Sequence, residues 1–297
     1  MVKNSNKGQA LVLVLLSLAV VLTLVLFVLS RSVTDVAVSS RAEEAVRAFS
    51  AAEAGVEKSL IVGLSSGLTD IGNAKFTANV SSFAEGSSAF TYPISLSSGE
   101  TASLWFVSHD ADGNIVCGGG KCFTGHMLKI CWGKPGTASG TATTPAVELS
   151  VIYAATPGDY STLRIARGVF DPNTGRQASN AFSSPDGGTC VVDGENFEFQ
   201  KTVDLATIST PVPPGSYTAE NGLQLAHVRI FYNTDTSHKV GFDVSQAGNS
   251  LLPSQGLLVD SSGEAGESTR RLSVFQGWPE APSVFEYSVY SSTGLTK

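Results

Sequence analysis

The sequence is poor in charge. Only 15% of its 297 residues are Asp, Glu, Lys or Arg, against about 25% in an ordinary globular chain. It also lacks a basic excess, with a formal net charge of −7. A nucleic-acid binder needs clustered cations to neutralise phosphates and release their counterions, so no nucleic-acid partner is expected. Catalytic signatures are missing as well. The histidines His109, His126, His227 and His238 form no H-E-x-x-H or comparable ligand pair. The one G-x-S-x-G string, GLSSG at Gly63–Gly67, falls in a helix stop and not at a strand-to-helix elbow, and there is no phosphate-binding P-loop. Each histidine reads as an exposed strand or turn residue, and the chain as a non-enzyme without cofactor or resident metal.

Charge, glycine and proline are all absent from Ala10 to Ser30. Such a run matches the roughly 20 residues that a bilayer-spanning helix needs. It exceeds the apolar region of an ordinary signal peptide, and RSVTDVAVSSR after it offers no small-x-small cleavage site. Lys3 and Lys7 precede the run, so the positive-inside rule places the leader in the cytoplasm and the rest outside. The helix is expected to continue to about Val62. Val46, Phe49, Ala52, Val56 and Leu60 recur at spacings of three and four and read as one apolar stripe. Glu43 and Arg47 stand at i, i+4 in the favourable order. GLSSGLTDIGN, from Gly63, reads as the helix stop.

Cysteine is scarce but even in number: Cys117, Cys122, Cys131 and Cys190. Outside the cytoplasm disulfides are the natural reading, and four cysteines allow three connectivities. The glycines of CGGGKC relieve the strain of a short loop. That favours Cys117–Cys122 with Cys131–Cys190. A zinc site is the alternative, but no second close pair supplies its usual ligand spacing.

From Asn73 onward the chain reads β. AVELSVIY puts Val147, Leu149, Val151 and Tyr153 on one side. Similar runs are ASLWFVS, HMLKICW, STLRIARGVF, NFEFQKTV, GLQLAHVRIFY, KVGFDV, STRRLSVF and SVFEYSVY. Turn signals such as DPNTGR and SPDGG separate them. More than eight short strands argue for a mainly antiparallel sandwich or curled sheet. GKPGTASGTATTPA and STPVPPGSYTAENG read as long surface loops. The second is placed as a boundary between two β-subdomains, near 209–222, against the alternative of a single β domain. Asp110, Asp112 and Asn114 alternate like the start of a calcium loop. Gly113 is misplaced for that motif and no bidentate Glu follows, so a D-G-N hairpin turn is preferred. Trp105, Trp132, Trp278 and Tyr290 are ligand-surface candidates, with core packing the favoured use.

A polar leader ending in Gly8, an apolar helix running into an amphipathic half, and a β-rich ectodomain together resemble the type IV (class III) prepilins and pseudopilins. The resemblance covers about the first 62 residues. It implies cleavage by prepilin peptidase between Gly8 and Gln9, with N-methylation of Gln9. The anchor then survives processing. Two positions depart from the family's major subunits: Leu13 stands where they carry a glutamate, and Gln9 where they usually carry Phe. Lack of the glutamate is a habit of the minor pseudopilin that caps secretion filaments. GQALVLVLL and AFSAAEAGVEKSL are similar to the same tracts in PilX-like minor pilins. The resemblance therefore implies an α+β, pilin-like protein in three parts: leader 1–8, helix 9–62 (9–30 transmembrane, 31–62 amphipathic) and extracellular β-rich domain 63–297. Its expected partners are the membrane, prepilin peptidase, the pilus assembly machinery and other pilin subunits. Its expected place is the inner or cytoplasmic membrane as a single-pass protein, then a filament, as an initiating or tip subunit. The alternative is an unprocessed single-pass anchored binding protein that serves adhesion.

Overall fold

The computed structural model describes residues 9–248 and 251–280, with side chains from Leu11 onward. The protein is α+β: one long helix followed by antiparallel β-structure. Helix α1 spans Gln9–Val62, about 80 Å at ~1.5 Å per residue. It ends where the sequence places its stop. Gly63 takes φ 69° and its N–H returns to the Ser59 carbonyl at 2.8 Å, a left-handed cap that favours glycine. There follow β1 (Ser66–Ile71), β2 (Ala74–Ser82), β3 (Ala89–Thr91), β4 (Thr101–Trp105), β5 (Met127–Trp132) and β6 (Ala146–Ala154). Next come β7 (Leu163–Phe170), α2 (Thr174–Asn180), β8 (Cys190–Val192), β9 (Glu195–Phe197) and β10 (Phe199–Asp204). The last are α3 (Pro214–Thr218), β11 (Leu223–Phe231), β12 (Val240–Asp243), β13 (Gly256–Ala265) and β14 (Ser268–Gly277).

The chain divides into two units. The first comprises residues 1–80 and 259–274, the second 81–258 and 275–297. The boundary placed near 209–222 is thus corrected. That segment lies inside the second unit, where it joins a strand of one sheet to a strand of the other. The real division is discontinuous in sequence, because β13 and β14 return to the strands that follow α1.

In the first unit the sheet order is β1-β2-β13-β14. β1 lies inside GLSSGLTDIGN, the segment that reads as the helix stop. Its Gly, Ser and Asp content hides a strand that exists through its antiparallel register with β2. The end of α1 packs on this sheet through part of the expected stripe, Ala52 and Val56 with Leu60 half-buried, but not through Val46 and Phe49. Val46 and Phe49 are 66% and 41% exposed. The buried face is Ala48, Ala51, Ala52, Gly55, Val56 and Ser59. Small side chains win because strand backbone comes too close for large ones. A Cβ placed on Gly263 would lie 2.0 Å from the Ala48 carbonyl oxygen, and one on Gly55 2.7 Å from the Phe76 ring.

In the second unit two four-stranded sheets, β10-β5-β12-β3 and β4-β11-β6-β7, form a sandwich. Leu128, Ile130, Trp132, Val240 and Phe242 of one sheet share a core with Leu104, Val147, Leu149, Val151, Val228 and Ile230 of the other. Central β6 is buried on both faces for most of its length, so its alternation marks which sheet face meets the core rather than solvent. SVFEYSVY and Tyr290 lie outside the described residues.

Candidate functional site

The first functional element is α1 itself. Leu11–Val62 is long and apolar enough to cross a membrane, and its most apolar stretch is wholly unburied. Leu13 is 66% exposed on this surface. Ser17 and Thr23 turn their hydroxyls back onto helix carbonyls, Ser17 to Val14 and Thr23 to Ala19 and Val20. With these two hydroxyls satisfied, the stretch from Leu11 to Leu29 offers a nearly continuous apolar surface, which suits lipid or another apolar helix. Glu43 and Arg47 pair as their spacing predicts. Gly8 and the side chain of Gln9 lie outside the described residues.

The second element is the covered outer surface of the sandwich, and both covers are held by disulfides. Cys131 pairs with Cys190, and Cys117 with Cys122. The first bond ties the β8–β9 hairpin over the outside of β5 and β12, where Cys131, Cys190, Val192 and Phe197 pack with Ala89. The second closes a loop over the outside of the other sheet. There Trp105, Val107, Cys122 and Leu225 gather Ile115, Cys117, Ile152 and Trp278. His109 stacks on Trp278 at 4.9 Å and meets Trp105 edge-on at 4.6 Å.

The Cys117–Cys122 loop carries a feature that sequence reasoning missed. Gly118, Gly119 and Gly120 all have positive φ, at 128°, 70° and 84°. This turns successive N–H groups inward, a concavity that binds anions. Glu220 fills it: Gly118 N donates to Oε2 and Gly120 N to Oε1, each at 2.6 Å. These backbone donors hold the Glu220 carboxyl below its usual range, Gly120 first. The three glycines were the available signal, but their partner lies about a hundred residues away.

The remaining candidates resolve into structural roles. Asp110 Oδ1 accepts the N–H groups of Asp112 at 3.0 Å and Asn114 at 2.8 Å, and the Asn114 amide reaches both carboxylate oxygens. The carboxylate thus serves its own turn, as the D-G-N reading holds, with its pKa lowered mainly by the Asn114 N–H. Among the described residues no group of three or more His, Cys, Asp or Glu is placed to hold a metal.

Two histidines are buried and not exposed as expected, and His109 is half-buried between Trp105 and Trp278. His238 is buried, and its Nδ1 accepts the Lys134 N–H at 3.0 Å. Burial first, then Lys134, lowers its pKa. His227 is buried on β11, with Nε2 3.2 Å from Glu280 Oε2. Ser103 donates to the other oxygen of Glu280 at 2.8 Å. His126, half-exposed, pairs with Asp204 at 2.8 Å. His227 stands on the outer face of its sheet, where Glu280 covers it, whereas His238 lies outside the named strands in a single bridge to Leu96. Trp132 is core, with Nε1 donating to the Pro145 carbonyl at 3.0 Å.

No family model, curated protein or solved structure matches the chain.

Proposed function

We propose that the chain is a minor structural subunit of a type IV pilus-like filament, anchored in the membrane before assembly and placed at the initiating end or tip. One observation carries this reading. An unbroken helix occupies all of Gln9–Val62, 54 residues that join an uncharged apolar stretch to a small-residue packing face, and the sequence just before it carries the Lys7–Gly8 pair that the resemblance requires. A plain anchor needs only about 20 of those residues. The uncharged first half would pass from lipid into a bundle of like helices, since both surroundings are apolar. Leu13 supports a minor role: a subunit without an intramembrane carboxylate cannot make the charge pairing that such a residue requires. The two disulfides agree with a domain outside the cytoplasm. Prepilin peptidase, the assembly machinery and other pilin subunits are the partners this reading assigns, and its role is structural rather than enzymatic.

Mass spectrometry of the amino terminus of membrane-extracted protein tests the proposal. The expected mature chain starts at N-methylated Gln9, and Gly8→Val should leave the leader attached. A wild-type chain that retains residues 1–8 would overturn the filament reading. It would leave an unprocessed, single-pass anchored binding protein.

A further inference from the structure

At one end of the sandwich three irregular loops enclose a cleft of about 670 Å³, walled by residues 136–139, by Pro172 and Thr174, and by 184–189. Loops this irregular are ordinarily mobile, but these are fixed from beneath. Asp171 is fully buried and accepts Arg176 Nε at 3.0 Å, Arg176 Nη2 at 2.9 Å and Asn180 Nδ2 at 2.8 Å. The same guanidinium donates to the Ala142 and Thr144 carbonyls at 2.8 and 2.6 Å, which ties the first wall to the second. The third wall is held by Asp186, whose Oδ1 takes Lys201 Nζ at 2.8 Å and whose Oδ2 takes Thr202 N at 2.7 Å. Cys190, next to Thr189, is bonded to Cys131.

The groups facing the cleft are of one kind. Ser139, Thr174 and Thr189 present hydroxyls with no protein partner among the described residues. Glu198 uses one oxygen for the Gly136 N–H at 2.7 Å and keeps the other open. Pro185 adds the accessible apolar surface, and the buried Pro172 and Phe199 lie behind it. Among the described residues no Lys or Arg lines the cleft, which disfavours an anion. Asp186 is already neutralised by Lys201, and one open carboxylate oxygen falls far short of the six to eight oxygens that calcium takes.

We propose that this cleft binds a neutral carbohydrate. Sugar hydroxyls would donate to the open oxygen of Glu198 and exchange hydrogen bonds with Ser139, Thr174 and Thr189. The C–H face of the ring would lie on Pro185. Preorganised walls reduce the ordering cost that a polar ligand must overcome. The site lies within the second unit, so it serves an assembled or an anchored chain equally.

The test is ligand-observed saturation-transfer NMR on the full chain in a zwitterionic, sugar-free detergent. The probes are glucose, galactose, N-acetylglucosamine and lactose, with sialyllactose, inorganic phosphate and calcium chloride as comparisons. Transfer to at least one neutral sugar is expected, weakened about tenfold by Glu198→Gln. Thr189→Val, an exposed change that leaves the fold intact, should weaken it in the same direction. No transfer to any neutral sugar would overturn the proposal. So would binding that both variants leave unchanged, or a preference for phosphate or calcium.

Discussion

Replacing Gly263 by alanine probes the contact that defines the first unit. The new Cβ would sit 2.0 Å from the Ala48 carbonyl oxygen and 2.5 Å from the Ala52 nitrogen. Both atoms are helix backbone, so neither can rotate aside. Ordinary contact begins at 3.4 Å, and the helix must lift from the strand to reach it. A gap of 0.5–1 Å already forfeits a quarter to a half of the dispersion well. The loss spreads over Ala48, Ala51, Ala52 and Val56 on the helix and Phe76, Ala78, Val259 and Ala265 on the sheet. Overpacking of a core costs about 1–3 kcal/mol, and rigid neighbours put Gly263→Ala at the upper end, about 3 kcal/mol.

Hydrogen exchange on the full chain in detergent micelles reads this change locally. Amides of residues 48–59 should exchange about a hundredfold faster, while those of the sandwich stay unchanged. Gly67→Ala is the control, since nothing lies within 4 Å of its new Cβ. Gly55→Ala should fall between the two. Its Cβ meets the side chains of Ser261 at 2.3 Å and Phe76 at 2.7 Å, and side chains can turn. Wild-type exchange in Gly263→Ala would refute the close helix–strand packing on which this reasoning depends.

Three further outcomes follow from the second unit. Replacing Cys131 and Cys190 by serine should cost about 4 kcal/mol by chain entropy, against about 2 for Cys117 and Cys122. The sequence separations of 59 and 5 set that order, and guanidinium unfolding of the two double variants checks it. Glu220 has a lowered folded pKa, so its contribution is present above the unfolded value, about 4.3, and is lost as pH falls through the folded one. Tryptophan emission should report an acid step below about pH 4, through the Trp105 and Trp278 cluster, that Glu220→Gln removes; an unaltered step refutes the latch. His238 stays neutral in the fold because its pKa is lowered by burial. The unfolded imidazole takes its proton first, so stability should decline as pH drops below about 6.5. His238→Gln should flatten that slope in denaturant titrations.

The long helix was legible because its signals are local. An uncharged run, a capping glycine and an i, i+4 ion pair each need only neighbours in sequence. Most strands were legible for the same reason, from period-two alternation in stretches such as AVELSVIY. What failed depended on partners distant along the chain. Val46 and Phe49 outscore Ala48 and Ala51 on any hydrophobicity scale, yet the alanines are buried, because Gly263 brings strand backbone to the helix surface. Size at a contact overrides hydrophobicity when backbones meet, and only the partner strand reveals that. β1 escaped notice because its strand character comes from β2, and the division into units escaped because β13 and β14 close the first unit after nearly two hundred intervening residues. The buried histidines belong to the same class. Alternation assigns His227 to the outer face of its sheet, and it takes Glu280 to make that face an interior. The candidate cleft is the extreme case. Its hydroxyls come from segments that read as a surface loop and as turns, and what turns them into a site is Asp171 and Arg176, one buried ion pair inside a turn signal. Breaking that pair leaves an uncompensated buried charge at a cost of about 3–5 kcal/mol. Arg176→Met should therefore unfix the cleft walls while removing no group that faces the ligand. Loss of sugar binding in that variant, with the sandwich still folded by circular dichroism, would separate the shape of the site from its chemistry. Retained binding would show that the loops hold their form without the hub.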